Sequence, residues 1–227
     1  MKKLVIFTGA GISAESGIKT FRDSDGLWEN YKIEDVATIG AWHKNPVLVQ
    51  DFYNQRRKTV LESKPNKAHF ALLELERDFK TTIITQNIDD LHERAGSKRV
   101  IHLHGEITKS CSSKNKSLVY PINGAELKMG EMATDGSQLR PFIVWFGEEV
   151  PMMETAIAEA CIADIFVVIG TSLQVYPAAS LLNRLNNNCK IYAVDPNLEE
   201  GILPQGSVLI KEKATVGVSK LLEKILK

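Results

Sequence analysis

The sequence predicts an α/β fold, a doubly wound parallel sheet that carries a small inserted lobe. Three observations lead there. Apolar, β-branched runs recur at residues 4–8, 81–85, 100–103, 143–146, 165–169 and 191–194, and most are continuous rather than alternating, the pattern of strands covered on both faces. Helical patterns lie between several of these runs, which is the order of βαβ units. A glycine-marked turn, Gly9-Ala10-Gly11, follows the first run directly. At 227 residues and 44% hydrophobic content, the chain can bury one large core, or one core and a smaller lobe.

Taken in order, the first strand ends in Gly9-Ala10-Gly11-Ile12-Ser13-Ala14. Gly9, Gly11 and Ala14 match the G-x-G-x-x-G/A spacing, in which the first glycine permits a tight turn and the second lets backbone approach a pyrophosphate. The small third residue lets the helix pack closely. Phosphate is then expected on free N–H groups at a helix start, although the same spacing also suits a plain strand-to-helix turn. A hydride-transferring site would add an acid about 20 residues later, at the end of a second strand. Here the chain instead runs through Phe21 and Arg22 into a polar, glycine-marked loop that includes Trp28.

Residues 32–66 read as helical without a strand. Asn45-Pro46 opens a helix to about Leu61, with asparagine as N-cap and proline at the first helical position. Val49, Phe52, Tyr53, Arg56 and Val60 share one face of it. A guanidinium on that face needs a partner, whereas Arg57 and Lys58, off the face, are expected in solvent. A helix at 67–79 precedes the strand at 81–85, which ends in Gln86-Asn87-Ile88-Asp89 at the start of a helix stopped by Gly96. One Asn or Asp there serves as an N-cap, but Gln86, Asn87 and Asp89 offer more polar groups than capping uses.

The run at 100–103 leads into His104-Gly105, and alternation places His102 and His104 on one face. His104 is a candidate general base, because imidazole titrates near neutrality; a satisfied core histidine is the other reading. Gly105 allows close approach of a backbone or a ligand. Residues 107–141 are polar and apolar only briefly, at 118–122. We therefore assign 32–66 and 107–141 to the small lobe, and 1–31, 67–106 and 142–227 to a nucleotide-binding domain. Helices at 152–163, at 178–186 and from about Gly217 complete the pattern. The strand at 165–169 ends in Gly170-Thr171-Ser172, whose amides and hydroxyls suit a ribose or phosphate, and the last ends in Asp195-Pro196-Asn197. Ligands bind at the C-terminal ends of parallel strands, so these loops together are the candidate site.

Twenty-eight basic and twenty-eight acidic residues cancel, so no global field draws in nucleic acid or an anionic membrane. No apolar run approaches the ~20 residues that span a bilayer, and the first is too short for a signal peptide. A cytoplasmic location is expected. Cys111, Cys161 and Cys189 are an odd number at wide spacing, which suits a reducing compartment. Cys161 and Cys189 read as core filler.

The motifs GAGISAESGI with FR, then TQNID, HLHGE, PFIVWFGE and GTSLQVYPAA, resemble those of the sirtuins, NAD-consuming protein-lysine deacylases, in order and spacing across nearly the whole chain. The likeness is to the short bacterial members. It implies a Rossmann-like large domain with a small inserted lobe, and NAD as co-substrate. By that resemblance Gly9, Ala10, Gly11, Ala14, Phe21, Arg22 and Trp28 would surround the phosphates and nicotinamide ribose. Gln86, Asn87, Ile88 and Asp89 would line the nicotinamide and ribose pocket. Gly170, Thr171, Ser172, Asp195, Pro196, Asn197 and Ala214 would hold the adenosine part. His104 would be the base, with Asn87 and Asp89 also catalytic. The family's reaction transfers the acyl group to ADP-ribose and releases nicotinamide, free lysine and O-acyl-ADP-ribose. The acyl-lysine peptide is expected as an added strand along Val144, Trp145, Phe146 and Gly147.

Tyr53 and Arg56 resemble the Tyr-x-x-Arg pair of members that prefer succinyl- and malonyl-lysine, where the guanidinium forks onto the distal carboxylate. Sirtuins usually build a structural zinc site from two Cys-x-x-Cys pairs after the catalytic histidine. This chain has only Cys111 there, so four thiolates cannot assemble and no zinc is expected. The lobe is expected to be held by Leu118, Val119, Tyr120, Ile122 and Leu127 instead. Lys19-Thr20 replaces a common Pro-Asp pair, and Asp195 a common asparagine. ADP-ribosyl transfer or NAD hydrolysis on the same scaffold, and a non-catalytic NAD or acyl-lysine binding module, are the competing readings. Neither nucleic acid nor membrane is an expected partner.

Overall fold

The computed structural model describes residues 1–20, 27–28 and 31–226. Strand β1 (Lys3–Thr8) leads to a single helical turn, α1 (Gly11–Ala14). A two-strand ribbon, β2 (Leu27–Trp28) and β3 (Tyr31–Lys32), precedes helices α2 (Ile33–Val36), α3 (Ile39–Lys44), α4 (Pro46–Glu62) and α5 (Lys67–Asp78). After β4 (Lys80–Thr85), α6 (Leu91–Ala95) and β5 (Val100–His102) come three strands, β6 (Gly105–Ser112), β7 (Val119–Pro121) and β8 (Leu139–Ile143). Helix α7 (Met153–Cys161), β9 (Ile165–Ile169), a 3-10 helix (Ala178–Arg184), β10 (Lys190–Val194), β11 (Val208–Ile210) and α8 (Ala214–Ile225) complete the chain.

Six strands form one sheet in the order β11-β10-β9-β1-β4-β5, all parallel. The continuous apolar runs are explained by burial on both faces. Val5, Phe7, Phe166 and Val168 enter a core with Ala156, Ala160 and Leu181, while Leu4, Ile6, Val167 and Ile169 enter a second with Leu72, Leu75, Val218 and Leu221. The order of connection reverses between β1 and its neighbours β4 and β9, where Thr8 is level with both Thr85 and Ile169. That reversal is the topological switch point where open α/β sheets bind ligands.

The helix starts follow their caps. Asn45 Oδ1 accepts the Leu48 N–H at 3.1 Å at the head of α4. At α5 the Asn66 side chain accepts the Ala68 N–H at 2.9 Å, and His69 Nδ1 accepts the Asn66 N–H at 3.3 Å.

The polar segment after His104 forms most of a three-stranded antiparallel sheet, β7-β6-β8. The run at 143–146 is corrected accordingly: only Ile143 lies in a strand, and it pairs with Gly105 in this small sheet. The Val144 N–H donates to the His104 carbonyl at 2.9 Å and the Phe146 N–H to the Ala37 carbonyl at 3.0 Å. Separate carbonyls thus satisfy a run that reads as one strand. Leu127, Ala133 and Leu139 form a small cluster with Tyr120 and Ile122 partly packed on it, but Val119 is 39% exposed and does not staple the lobe.

Two side chains overturn their expected surroundings. Arg57 is fully buried rather than solvated. Its Nε donates to the Ile107 carbonyl at 2.6 Å, and its Nη1 to Asn54 Oδ1 at 2.7 Å and the Ala125 carbonyl at 2.9 Å. The small sheet covers a second face of α4, which no apolar stripe marks in the sequence. Cys161 is exposed, because the buried stripe of α7 runs through Ala156 and Ala160 and the next position turns out by one residue of helix. Among the described residues no helix is long and apolar enough to cross a membrane.

Candidate active site

The glycine turn is held by backbone contact. The Gly9 N–H donates to the Ile169 carbonyl at 3.0 Å, Gly11 to Gly170 at 2.8 Å, Ile12 to Gly9 at 3.2 Å and Ser13 to Ala10 at 3.1 Å. A Cβ on Gly11 would lie 2.6 Å from the Gly170 Cα, and one on Gly170 2.4 Å from the Ile12 nitrogen. The expectation of free amides at a helix start is therefore corrected: α1 is one turn and its leading N–H groups are committed, so that the loops after β1 and β9 can touch. The Ala10 N–H has no acceptor among the described residues.

The loop after β4 is built on hydroxyls. Thr8 Oγ1 donates to Thr85 Oγ1 at 2.8 Å, which also accepts the Asn87 N–H at 3.0 Å. Asn87 Nδ2 donates to Ser13 Oγ at 3.2 Å, and Ser13 Oγ donates to Asp89 Oδ2 at 3.0 Å. The other Asp89 oxygen accepts the Leu91 N–H at 3.1 Å. Asp90 is the N-cap residue of α6 but makes no side-chain cap bond; Asp89, one residue earlier, accepts the first helical N–H and also ends this chain of side chains. Burial pushes its carboxyl up, opposed by the Leu91 and Ser13 hydrogen bonds. Gln86 Oε1 accepts the Thr171 hydroxyl at 2.8 Å, joining this loop to the one after β9.

His104 sits just past β5, with Nδ1 3.0 Å from the Gln86 carbonyl. A carbonyl only accepts, so Nδ1 carries the proton and Nε2 keeps its lone pair. Burial lowers the pKa of the ring, partly countered by that hydrogen bond. The close neighbour that Gly105 admits is backbone, not ligand: at φ +83°, a Cβ there would meet the Phe142 oxygen at 2.1 Å. On the same strand His102 reaches the Asn87 carbonyl through Nδ1 at 3.0 Å and Glu93 Oε1 through Nε2 at 2.8 Å.

The inner face of α4 carries Tyr53 and Arg56, 1% and 6% exposed. Burial pushes the Tyr53 hydroxyl up to about 12 despite the nearby Arg56 charge, so the phenol remains a neutral donor. Aromatic rings back it: Trp145 lies 6.2 Å from Tyr53 and 5.5 Å from Trp42. Arg140 stacks on the other side of Trp145, its Cζ 3.5 Å from the ring centroid. Its fork grips Glu148 at 2.8 and 3.0 Å, and Glu148 in turn accepts the Trp145 N–H at 2.9 Å and pairs with Lys116 at 2.7 Å. The Trp145 side chain is buried and its backbone N–H is committed to Glu148. With the Val144 and Phe146 amides also committed, the Gly147 N–H is the one backbone donor of this stretch without an acceptor among the described residues. Phe146 is half exposed.

Thr171 is buried and its hydroxyl also accepts the Leu173 N–H at 3.2 Å, while Ser172 is half-buried. Asp195 Oδ1 accepts the Asn197 N–H at 2.8 Å in the last loop, where Pro196 and Asn197 are exposed. Ala214 is buried at the first turn of α8, and the Ile88 carbonyl accepts the Ile107 N–H at 2.8 Å. Phe21 and Arg22 lie outside the described residues, as does the side chain of Trp28. Ser13, Thr85, Glu93 and the role of His102 escape a reading of the sequence. For Ser13 one signal exists, a hydroxyl within an otherwise small and apolar strand-to-helix turn.

A parallel sheet with its loops meeting at the switch point, and a neutral imidazole beside them in place of an acidic ribose anchor, belongs to the Rossmann-like nucleotide-binding class. The Sir2 family matches residues 9–177, and the chain belongs to that family. It is 54% identical over 226 residues to an NAD-dependent protein deacylase of Helicobacter pylori, covering 100% of this chain and 98% of the relative. It is 52% identical to one of Bacteroides thetaiotaomicron, covering 97% of each. A Sir2 homolog bound to NAD superposes with a TM-score of 0.89 at 39% identity, over 99% of this chain and 90% of the other. A Sir2 protein with a deacetylated p53 peptide and 3′-O-acetyl ADP-ribose superposes at 0.80 and 30% identity, over 98% and 92%.

Proposed function

We propose that this NAD-dependent protein deacylase removes succinyl and malonyl groups from lysine side chains as well as acetyl groups. The observation that carries the proposal is the burial of Tyr53 and Arg56 together on the inner face of α4. A neutral phenol and a guanidinium there suit the distal carboxylate of an acidic acyl chain, through a charge-assisted fork and one further hydrogen bond.

The dinucleotide fits the loops. Gly9, Gly11 and Gly170 let the loops after β1 and β9 close on each other at the switch point where such sheets bind ligands, leaving the Ala10 N–H without an acceptor among the described residues; Ala14, Thr171, Ser172 and the Asp195–Asn197 turn would border the dinucleotide. When bound, NAD supplies the ADP-ribosyl group that accepts the acyl group, with nicotinamide as leaving group. His104 takes a proton at Nε2, while its Nδ1–H stays on the Gln86 carbonyl. Asn87, tied to Ser13 and through it to Asp89, presents its amide at a fixed angle. Peptide backbone runs along Val144 to Gly147, using the Gly147 N–H.

The same reading holds the small lobe without zinc. Ser112 Oγ donates to Asp135 Oδ2 at 2.6 Å, lies 2.7 Å from Ser137 Oγ, and accepts the Lys114 and Asn115 amides. These bonds join the two segments that a metal would otherwise join.

The test incubates the protein with NAD and acetyl-, succinyl- or unmodified lysine peptides and identifies products by mass. O-succinyl- and O-acetyl-ADP-ribose are expected. ADP-ribosylated peptide or free ADP-ribose alone would redirect the assignment to transfer or hydrolysis, and no turnover would leave a binding module. Arg56→Met should lower the succinyl-to-acetyl ratio of kcat/KM by about tenfold or more; an unchanged ratio removes the acidic-acyl assignment. One tightly bound zinc per chain in elemental analysis would overturn the zinc-free lobe.

A further inference from the structure

We infer that His102 is a positioning residue that works as the imidazolium, so that the two histidines of His102-Leu103-His104 act in opposite protonation states. The inference rests on the reading above, in which His104 and Asn87 belong to the reactive site.

The geometry around the ring carries the argument. Both nitrogens of His102 face acceptors, the Asn87 carbonyl at 3.0 Å and the Glu93 carboxylate at 2.8 Å. A neutral imidazole has one N–H, so it would turn a lone pair onto one of these oxygens; only the cation donates to both. The side chain is 8% exposed, so water is a poor substitute for either partner. His104 differs in one respect. It donates to a single carbonyl, Gln86, and its other nitrogen has no partner among the described residues. The two rings therefore brace successive carbonyls of the Gln86-Asn87 loop, one as a cation and one as a base.

The charges nearby agree. Glu93 of α6 and Glu106 of β6 face His102, with Asp89 and His92 close by; Lys109 of β6 pairs with Glu106 at 2.8 Å and is felt by Glu93. Burial disfavours the charged ring, but the Glu93 hydrogen bond and charge, the Glu106 charge and the Asn87 carbonyl prevail, and the His102 pKa is raised. The His104 pKa is lowered by burial. Between the two values one ring is charged and the other neutral, the separation of roles that environment imposes on paired titrating groups. Deprotonating His102 removes one brace from the loop that carries Asn87.

Two measurements test this. In protein with 13C- and 15N-labelled histidine, the His102 ring, assigned by its loss in His102→Gln, should carry two protons at pH 7 and titrate above the ordinary imidazole range, whereas His104 titrates below it. A neutral His102 at pH 7 overturns the inference. In kcat/KM against pH, activity should rise as His104 loses its proton and fall as His102 does. Glu93→Gln should move the falling limb about one pH unit lower and Glu93→Asp should restore it. His102→Gln should cost about tenfold at pH 7 and abolish that limb, leaving the rising one. A falling limb unmoved by Glu93→Gln also overturns the inference. If no acyl peptide turns over, the functional reading fails, and the ring titration still decides the protonation state of His102.

Discussion

Strands β9 and β8 are both five residues long and lie in the two sheets that flank the candidate site, yet they are held by different chemistry. β9 is Ile-Phe-Val-Val-Ile, buried throughout, with Phe166 and Val168 in one core and Ile165, Val167 and Ile169 in the other. β8 is Leu-Arg-Pro-Phe-Ile, and its Arg140 is as buried as the apolar residues around it. That guanidinium donates to Glu148 and the Ile143 carbonyl and stacks on Trp145. Arg57 does the same on α4, its burial lowering its pKa to about 10, with three oxygen acceptors and no carboxylate among the described residues. The parallel sheet is stabilised by area removed from water, which tolerates small shifts in geometry. The small sheet adds only a limited apolar cluster of its own to the larger one around α4, and its buried Arg140 and Ser112 rely on directional bonds, which fix one arrangement.

The comparison can be broken most forcefully in the large core. Phe166→Ala should cost ~3–5 kcal/mol and lower the urea midpoint of the whole chain in one transition. Arg140→Met should cost ~3 kcal/mol, because the buried Glu148 loses its fork and keeps only Lys116 and the Trp145 N–H. Its effect should stay local, raising KM for acyl peptide and amide exchange in β6 and β8 while NAD binding is kept. If Arg140→Met lowers the global midpoint as Phe166→Ala does, without a local phase, the two regions are not distinct.

A pH titration sharpens the same point. Burial alone would raise the Glu148 carboxyl, but hydrogen bonds from Arg140, Lys116 and the Trp145 N–H hold it at about 2. The folded value lies below the ordinary 4.5, so the stability this carboxylate contributes is complete above 4.5 and is lost as pH falls towards about 2. Tryptophan fluorescence, to which Trp145 beside Glu148 contributes, should change over that window. Replacing Glu148 with Gln should remove the low-pH change. The smallest effect is expected from Ser112→Ala, ~1 kcal/mol, seen as faster amide exchange at Lys114 and Asn115.

The regions also differ in how far the sequence reveals them. The strands of the parallel sheet at Leu4, Thr81, Val100, Ile165 and Ile191 are visible because residues buried on both faces must be apolar at every position. β11 is not, since three residues before Lys211 carry too short a run. β6 and β8 are hidden because their buried positions include Ser110, Ser112 and Arg140, whose burial depends on partners from other segments. The same reason conceals Arg57. At the site, Gln86, Asn87, Asp89 and His104 stand out as polar groups at strand ends. Ser13 does not, because a serine in a turn is unremarked until Asp89 and Asn87 are brought to it.

By itself the amino-acid sequence determined the α/β class, the glycine spacing after β1, the polar loop after β4, the Tyr53 and Arg56 face of α4 and the histidine past β5, because each follows from local periodicity or from residue type at an element's end. Tertiary structure alone decided that the glycine amides serve the contact with Ile169 and Gly170, that Arg57 and Trp145 face inward, and that His102 meets two acceptors. Those acceptors, Asn87 and Glu93, lie 15 and 9 residues away along the chain. The proton a histidine holds is set by what surrounds it in space, and no spacing in one sequence states that.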